Sequence, residues 1–240
     1  MAIAIDGTPI QGTVSFGATA TATNVVVGSG SNRVLVAGAS WLNSTVAPTV
    51  TFNGSEGLTI GGAVANIGGF RSALWYRVGP SNATANVVFS WGGSEEAIGR
   101  VWAVNWTGAS TPHGYATNTG SSGLPSVSVA SVVSGEVTID NLCHVAGNIA
   151  ASQASGTQVE LVNAGIPSSN RIGVSYDAGS TGTVAMNWTS DNDDWSIVAF
   201  ALTEGAASET ITIDKWLSRE QAQRKRIVQV VPSGTIGIRG

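Results

Sequence analysis

The first thing missing is lysine: residues 1–208 contain none, and the chain's two lysines are Lys215 and Lys225. Cysteine is nearly absent as well. Cys143 stands alone, so no internal disulfide framework and no multi-cysteine metal site can form. Two histidines, His113 and His144, leave little material for a histidine-based catalytic or metal cluster. Charged residues make up 11% of the chain, less than half the usual ~25%. No apolar run approaches the ~18 residues of a membrane-spanning helix. The opening residues lack the basic and apolar regions of a secretory signal, so the chain is expected to be made in a cytoplasm.

What is present is an apolar, glycine-rich chain of 240 residues with 42% hydrophobic side chains. That excludes disorder on composition and is enough to bury a core without staples. The net charge of −4 hides a split. Residues 1–208 carry five arginines against twelve carboxylates, a balance of −7. Residues 209–240 carry six basic side chains against three acids, a balance of +3. A compact acidic body with a basic tail suggests that the tail docks elsewhere. The tail lacks the aromatic interleaving of a nucleic-acid binder, and the body is acidic, so nucleic acid is not the expected partner.

Hydrophobic residues alternate with period two, and valine, threonine and isoleucine are frequent. Strands are predicted at 34–40, 49–52, 73–78, 85–91 and 101–106. Further strands are predicted at 126–132, 136–142, 158–162, 171–176, 183–188 and 196–202. Turn dipeptides such as Asn53-Gly54, Gly68-Gly69 and Gly92-Gly93 separate them. Residues 1–28 alternate too and are expected to add an edge strand or arm. The expected fold class is all-β: a β-sandwich of two similar strand sets. A C-terminal extension holds one short helix, at about 218–225, opened by a capping box at Ser218 and Gln221. A strand over 227–231 and a turn at Pro232 follow.

The two halves also resemble each other. RSALWY (71–76) parallels RIGVSY (171–176), VVFSW (87–91) parallels VAMNW (184–188), and VWAV (101–104) parallels IVAF (197–200), at an offset close to 100 residues. The expected organisation is an N-terminal segment 1–28, a body 29–207 with repeats at about 32–109 and 135–207, and a docking tail 208–240. Residues 110–134 are read as the crossing segment between two strand sets that face each other in one sandwich.

NRVLVAGASW (32–41), VTFNG (50–54), LWY (74–76), ANVV (85–88), Thr111-Pro112, VAMNW (184–188), DDW (193–195) and VAFAL (198–202) form a further pattern. Together they resemble jelly-roll-like β-sandwich domains of phage virion proteins and of bacterial secreted or surface proteins. The likeness covers residues 10–203. It implies a fold and no catalytic residues, and the tail after Glu204 has no counterpart in it. The missing secretion signal favours the phage branch.

Catalytic arrangements find little support. No Gly-x-Ser-x-Gly elbow surrounds any serine, and neither histidine lies in a nucleophile context. Glu95, Glu96, Asp193 and Asp194 could be paired glycosidase carboxylates, but all sit in acidic turns, where short acids cap backbone N–H groups. Asp191, Asp193 and Asp194 are a calcium candidate, without the spacing or terminal glutamate of a twelve-residue loop. Most tryptophans repeat between halves and read as core. Trp216, beside Leu217 on a polar tail, reads as an anchor into a partner.

The expectation is therefore a non-enzymatic phage virion protein that needs no cofactor: a capsid decoration or cement protein. Its tail would bind the major capsid protein or neighbouring virion subunits. Trp216 and Leu217 would be apolar anchors, Arg219, Arg224, Lys225 and Arg226 would meet acidic groups, and Ile227, Val228 and Val230 would add to a sheet edge. A homo-oligomer, a trimer by guess, is expected. The alternative is a carbohydrate- or receptor-binding module of a tail fibre or surface adhesin.

Overall fold

The computed structural model describes residues 2–92, 96–145, 149–151, 157–168 and 170–206. Among them every regular element is a strand and every pairing is antiparallel. The first half contains β1 (Ala4–Gly17), β2 (Thr19–Val27), β3 (Arg33–Leu42), β4 (Thr49–Phe52), β5 (Glu56–Gly57), β6 (Thr59–Ile60), β7 (Ala65–Ile67), β8 (Phe70–Val78), β9 (Ala83–Ser90) and β10 (Ala97–Thr107). The second contains β11 (Ala109–Gly120), β12 (Ser126–Val132), β13 (Val137–His144), β14 (Ile149–Ala151), β15 (Gln158–Gly165), β16 (Arg171–Ala178), β17 (Gly182–Ser190) and β18 (Trp195–Glu204).

Each half builds one larger and one smaller sheet. The larger sheets run β1-β10-β3-β8-β6, with β7 also on β8, and β11-β18-β13-β16-β15. The smaller ones run β2-β9-β4-β5 and β12-β17-β14. The sequence repeats fall on topologically equal strands: β8 and β16, β9 and β17, β10 and β18. The segment 1–28, read as a strand or arm, holds two edge strands, β1 and β2. β1 closes the larger sheet against β10, and β2 closes the smaller sheet against β9.

The layering differs from the expected single sandwich of two facing strand sets. Each half folds back on itself, and the two larger sheets then pack against each other, giving a sandwich-like stack of four layers. Three cores fill the gaps. Leu35, Trp41, Phe52, Trp75, Phe89 and Trp91 lie between the sheets of the first half. Val129, Leu142, Met186, Trp188 and Ile197 lie between those of the second. Val36, Leu74, Trp102, Ile139, Ile172 and Phe200 lie where the larger sheets meet. The physical reason is on the central strands. From Val34 to Leu42, and throughout β13, every residue is buried. β3 is almost wholly apolar on both faces, and β13 meets its buried polar side chains with internal hydrogen bonds, so each strand is stable only with a layer on both sides.

β11 falls almost wholly in the stretch 110–134, read as the crossing segment, and ahead of the strand predicted at 126–132. It contains Pro112, Gly114 and Gly120, which weaken strand signals. It tolerates them as the edge strand of its sheet, with register breaks at Ala109/Pro112 and His113/Ala116.

Candidate functional site

The nine tail residues expected to bind a partner lie outside the described residues: Trp216, Leu217, Arg219, Arg224, Lys225, Arg226, Ile227, Val228 and Val230. The expected helix at 218–225 lies outside them too. What can be described is the point where the body ends. After β18 the chain is tied down twice: Gly205 N–H donates to Gly108 O at 2.7 Å, and Asn32 Nδ2 donates to Ala206 O at 2.6 Å. Beside this exit a cleft of about 240 Å³ is lined by residues including Gly30, Ser31, Arg33, Val78 and Ser110. Val78 is exposed there.

The acidic turn between β17 and β18 shows capping. Asn192 Oδ1 accepts from Gly123 N–H at 2.7 Å, and Asp193 Oδ1 accepts from Asp194 N–H at 2.8 Å. His144 is buried, with its Nε2 3.2 Å from Asp191 O. Among the described residues, no three His, Cys, Asp or Glu side chains converge as metal ligands would. Of the glycosidase candidates, Glu95 lies outside the described residues; Glu96 is exposed, and Asp193 and Asp194 are half-buried. All seven described tryptophans, Trp41, Trp75, Trp91, Trp102, Trp106, Trp188 and Trp195, are core residues. Among the described residues, the exposed aromatics are Phe16 and Tyr115.

Two features escaped the sequence reading. One is a buried polar network in the second half. Asp140, on β13, is fully enclosed. Its Oδ1 accepts from the Ser175 N–H and hydroxyl at 2.7 and 2.8 Å, and its Oδ2 from Trp188 Nε1 at 2.6 Å. Gln158 Nε2 donates to Ser175 Oγ at 2.7 Å and to Asn187 O at 3.0 Å. Burial pushes the Asp140 carboxyl up to about 7, against the opposing pull of the Trp188 and Ser175 hydrogen bonds. The repeat held the signal. By strand register, Asp140 and Ser175 stand where the first half has Ala37 and Trp75.

The other feature is a pair of matching bulges. β1 slips against β10 between Asp6 and Ile10, and β11 slips against β18 between His113 and Ala116. A glycine at positive φ follows Asp6 and His113 in turn: Gly7 at 98° and Gly114 at 66°. In the second half the His113 ring is met within the body. His113 Nε2 lies 2.9 Å from Glu136 Oε2, which also accepts from Val133 N–H. In the first half, Asp6 Oδ2 accepts from Gly28 N–H at 2.8 Å and from Asn105 Nδ2 at 3.0 Å.

No family model, curated protein or solved structure matches the chain.

Proposed function

We propose that the protein is a structural component of a phage particle, a capsid decoration or cement protein, and that its C-terminal tail is the adhesive element. The single observation behind this reading is the division of charge and residue type along the chain. A lysine-free body with a net −7 is followed by a 209–240 segment with a net +3. That segment also carries Trp216, the one tryptophan outside the core-forming region. The body would stand on the capsid. Trp216 and Leu217 would enter a partner's apolar surface, and Arg219, Arg224, Lys225 and Arg226 would meet its acidic groups. Ile227, Val228 and Val230 would extend an exposed sheet. Symmetric copies, as in a trimer, would multiply weak contacts through effective concentration.

We also propose that each half is a jelly roll. In such a roll the first, last, third and sixth strands share one sheet. Leaving aside β5 and β6, the first half runs β1-β10-β3-β8 in its larger sheet and β2-β9-β4 in its smaller one. This is that order, except that the fifth strand, β7, pairs with β8. Jelly rolls recur in viral capsid and lectin domains. The carbohydrate-binding alternative needs exposed aromatic platforms, and the described tryptophans are buried.

The test is co-sedimentation with phage particles stripped of their decoration. The full chain should pellet with particles and the chain lacking 209–240 should stay in solution, with the W216A variant in between. Equal pelleting of the full and shortened chains would overturn the reading. A glycan array that captures the body in a sugar-dependent, chelator-sensitive way would favour the alternative.

A further inference from the structure

The strands give the body two ends. β18 runs from Trp195 at one to Glu204 at the other, ten residues, or about 33 Å. The chain leaves the body after Glu204. At the opposite, far end lie the β1–β2 and β11–β12 connections: Ser15 is level with Ile98 and Leu42, and Gly120 with Trp195 and His144. The two halves share this end, since a Cβ on Gly68, between β7 and β8, would fall 3.3 Å from Asp194 Oδ2.

Each connection presents an apolar tip to solvent. Phe16 is 62% exposed and Leu124 69%, the highest values for large hydrophobics among the described residues. Both tips are held from either side. Phe16 lies between Ser15, paired with Ile98, and Gly17, paired with Ala97. Gly123 N–H donates to Asn192 Oδ1 at 2.7 Å, Gly123 O accepts from Ser190 N–H at 2.9 Å, and Pro125 O accepts from Trp188 N–H at 2.8 Å. Phe16 also has φ 51°, a left-handed conformation that is costly for a bulky side chain, and its exposed ring returns little burial to the fold. A pre-positioned, exposed apolar tip is suited to contact with another surface.

Acids stand beside both tips. Exposed Glu96 adjoins Ala97, the partner of Gly17. Asn192, bonded to Gly123, lies in the turn with Asp191, Asp193 and Asp194. Two arginines at this end by register are engaged locally: Arg71 with Gly69 O at 2.8 Å, and Arg171 with Asn163 Oδ1 at 2.7 Å. The far end therefore pairs apolar tips with carboxylates. The tail has the complementary composition: Trp216-Leu217, then Arg219, Arg224, Lys225 and Arg226. Fully extended, the chain from Ala206 to Trp216 reaches about 35 Å, little more than the length of β18. Its own far end is at the limit of that reach, whereas a second copy placed end to end brings its far end to the tail at no cost in extension.

We propose that the far end of the body receives the tail of a second copy. Trp216 and Leu217 of one copy would pack on Leu124 of the next, with the tail's basic residues against Asp191, Asp193 and Asp194. The Leu124 corner is the receptor because three described carboxylates lie there, against Glu96 beside Phe16. This rests on the adhesive reading of the tail and names its partner. The contact is head-to-tail, so each copy both gives and receives, and the assembly grows into a ring or a filament.

The test is sedimentation velocity of the full chain over a concentration series. The parent should form species larger than a dimer, and added salt should weaken them. Leu124→Asp, on an exposed tip, and Trp216→Ala, outside the body, should each weaken association about tenfold or more. An equimolar mixture of the two variants should recover association and stop at the dimer, because it holds one intact tail and one intact receptor. A monomeric parent, association unchanged by Leu124→Asp, or a mixture no larger than its components would overturn the proposal. Tail-dependent pelleting with stripped particles by a chain that is monomeric in solution would overturn it and leave the adhesive reading standing. Association that Leu124→Asp abolishes, with no pelleting on particles, would support it and remove capsid binding instead.

Discussion

At the scale of single residues, the two halves solve one packing problem in different ways. In the first, Trp41 packs against Trp75 and Trp91, with ring centroids 6.3 and 6.2 Å apart, and Trp75 meets Phe89 edge-on at 5.7 Å. The Trp91 N–H finds no acceptor there. In the second half the equivalent indole, Trp188, donates to Asp140, and Ser175 replaces the bulk of Trp75. The exchange has a consequence for pH. Asp140 is raised from 3.8 to about 7 in the fold, so the folded state holds its proton more tightly than the unfolded chain. The stability this contributes is complete below about pH 4 and is lost as pH rises to about 7, on the order of a few kcal/mol across the window. Urea unfolding between pH 4 and 8 should show that decline. Asp140→Asn should flatten it, at a cost of ~1–3 kcal/mol at low pH from the amide placed against the Trp188 N–H. A slope unchanged in the variant would rule Asp140 out as its source.

A second residue-scale constraint lies between the halves. By register Gly38 and Asn141 hold equivalent positions on β3 and β13. The Trp102 indole lies over Gly38 and donates to Asn141 Oδ1 at 2.7 Å. A Cβ on Gly38 would fall 2.3 Å from Trp102 Nε1, closer than atoms can approach. Gly38→Ala should therefore destabilise by about 3 kcal/mol, the upper end of overpacking costs, read as a lowered thermal midpoint. A midpoint within a degree of the parent would show that the indole can move aside.

At the scale of elements, position within the sheets sets protection. β3 and β13 are paired on both sides and covered on both faces, whereas β1, β2 and β15 are edges. Amide exchange should be slowest in β3, β13, β10 and β18, approaching the global unfolding free energy, and fastest along the edges. Rapid exchange in β13 would mean that the second half opens independently. Element scale is also where sequence reading succeeded and failed. The strand at 49–52 and the strand at 126–132 match β4 and β12 residue for residue, because alternation and flanking turn residues agree there. β11 was missed because Pro112 and Gly114 are turn signals locally, and only its place at a sheet edge, with two bulges, makes them compatible with a strand.

At the scale of the molecule, the body resembles a homodimer joined into one chain. The larger sheets meet through equivalent faces. Tyr76 on β8 packs against Phe200 on β18, and Tyr176 on β16 against Trp106 on β10, with centroids 6.3 and 5.5 Å apart. Each half thus presents its β8-type strand to the other's β10-type strand, the self-complementary pattern of a two-fold interface. A fragment of residues 2–108 would expose Val36, Leu74, Trp102 and Trp106, which the full body buries. We expect it to dimerise or precipitate, as analytical ultracentrifugation would show. A folded, soluble monomer at tens of micromolar would mean that the central core is dispensable to each half.

The sequence by itself determined the all-β class, the positions of most strands, the repeat and the uneven charge, because each is written in local alternation, turn chemistry or composition. Tertiary structure decided which faces meet. Whether two strand sets close on each other or each on itself depends on burial of both faces of strands such as β3 and β13, a property of neighbours far away in the chain. The same holds for Asp140, Asn105 and Gly38. An aspartate, an asparagine and a glycine carry no mark of their surroundings, and only the indoles and carboxylates brought beside them give each its role.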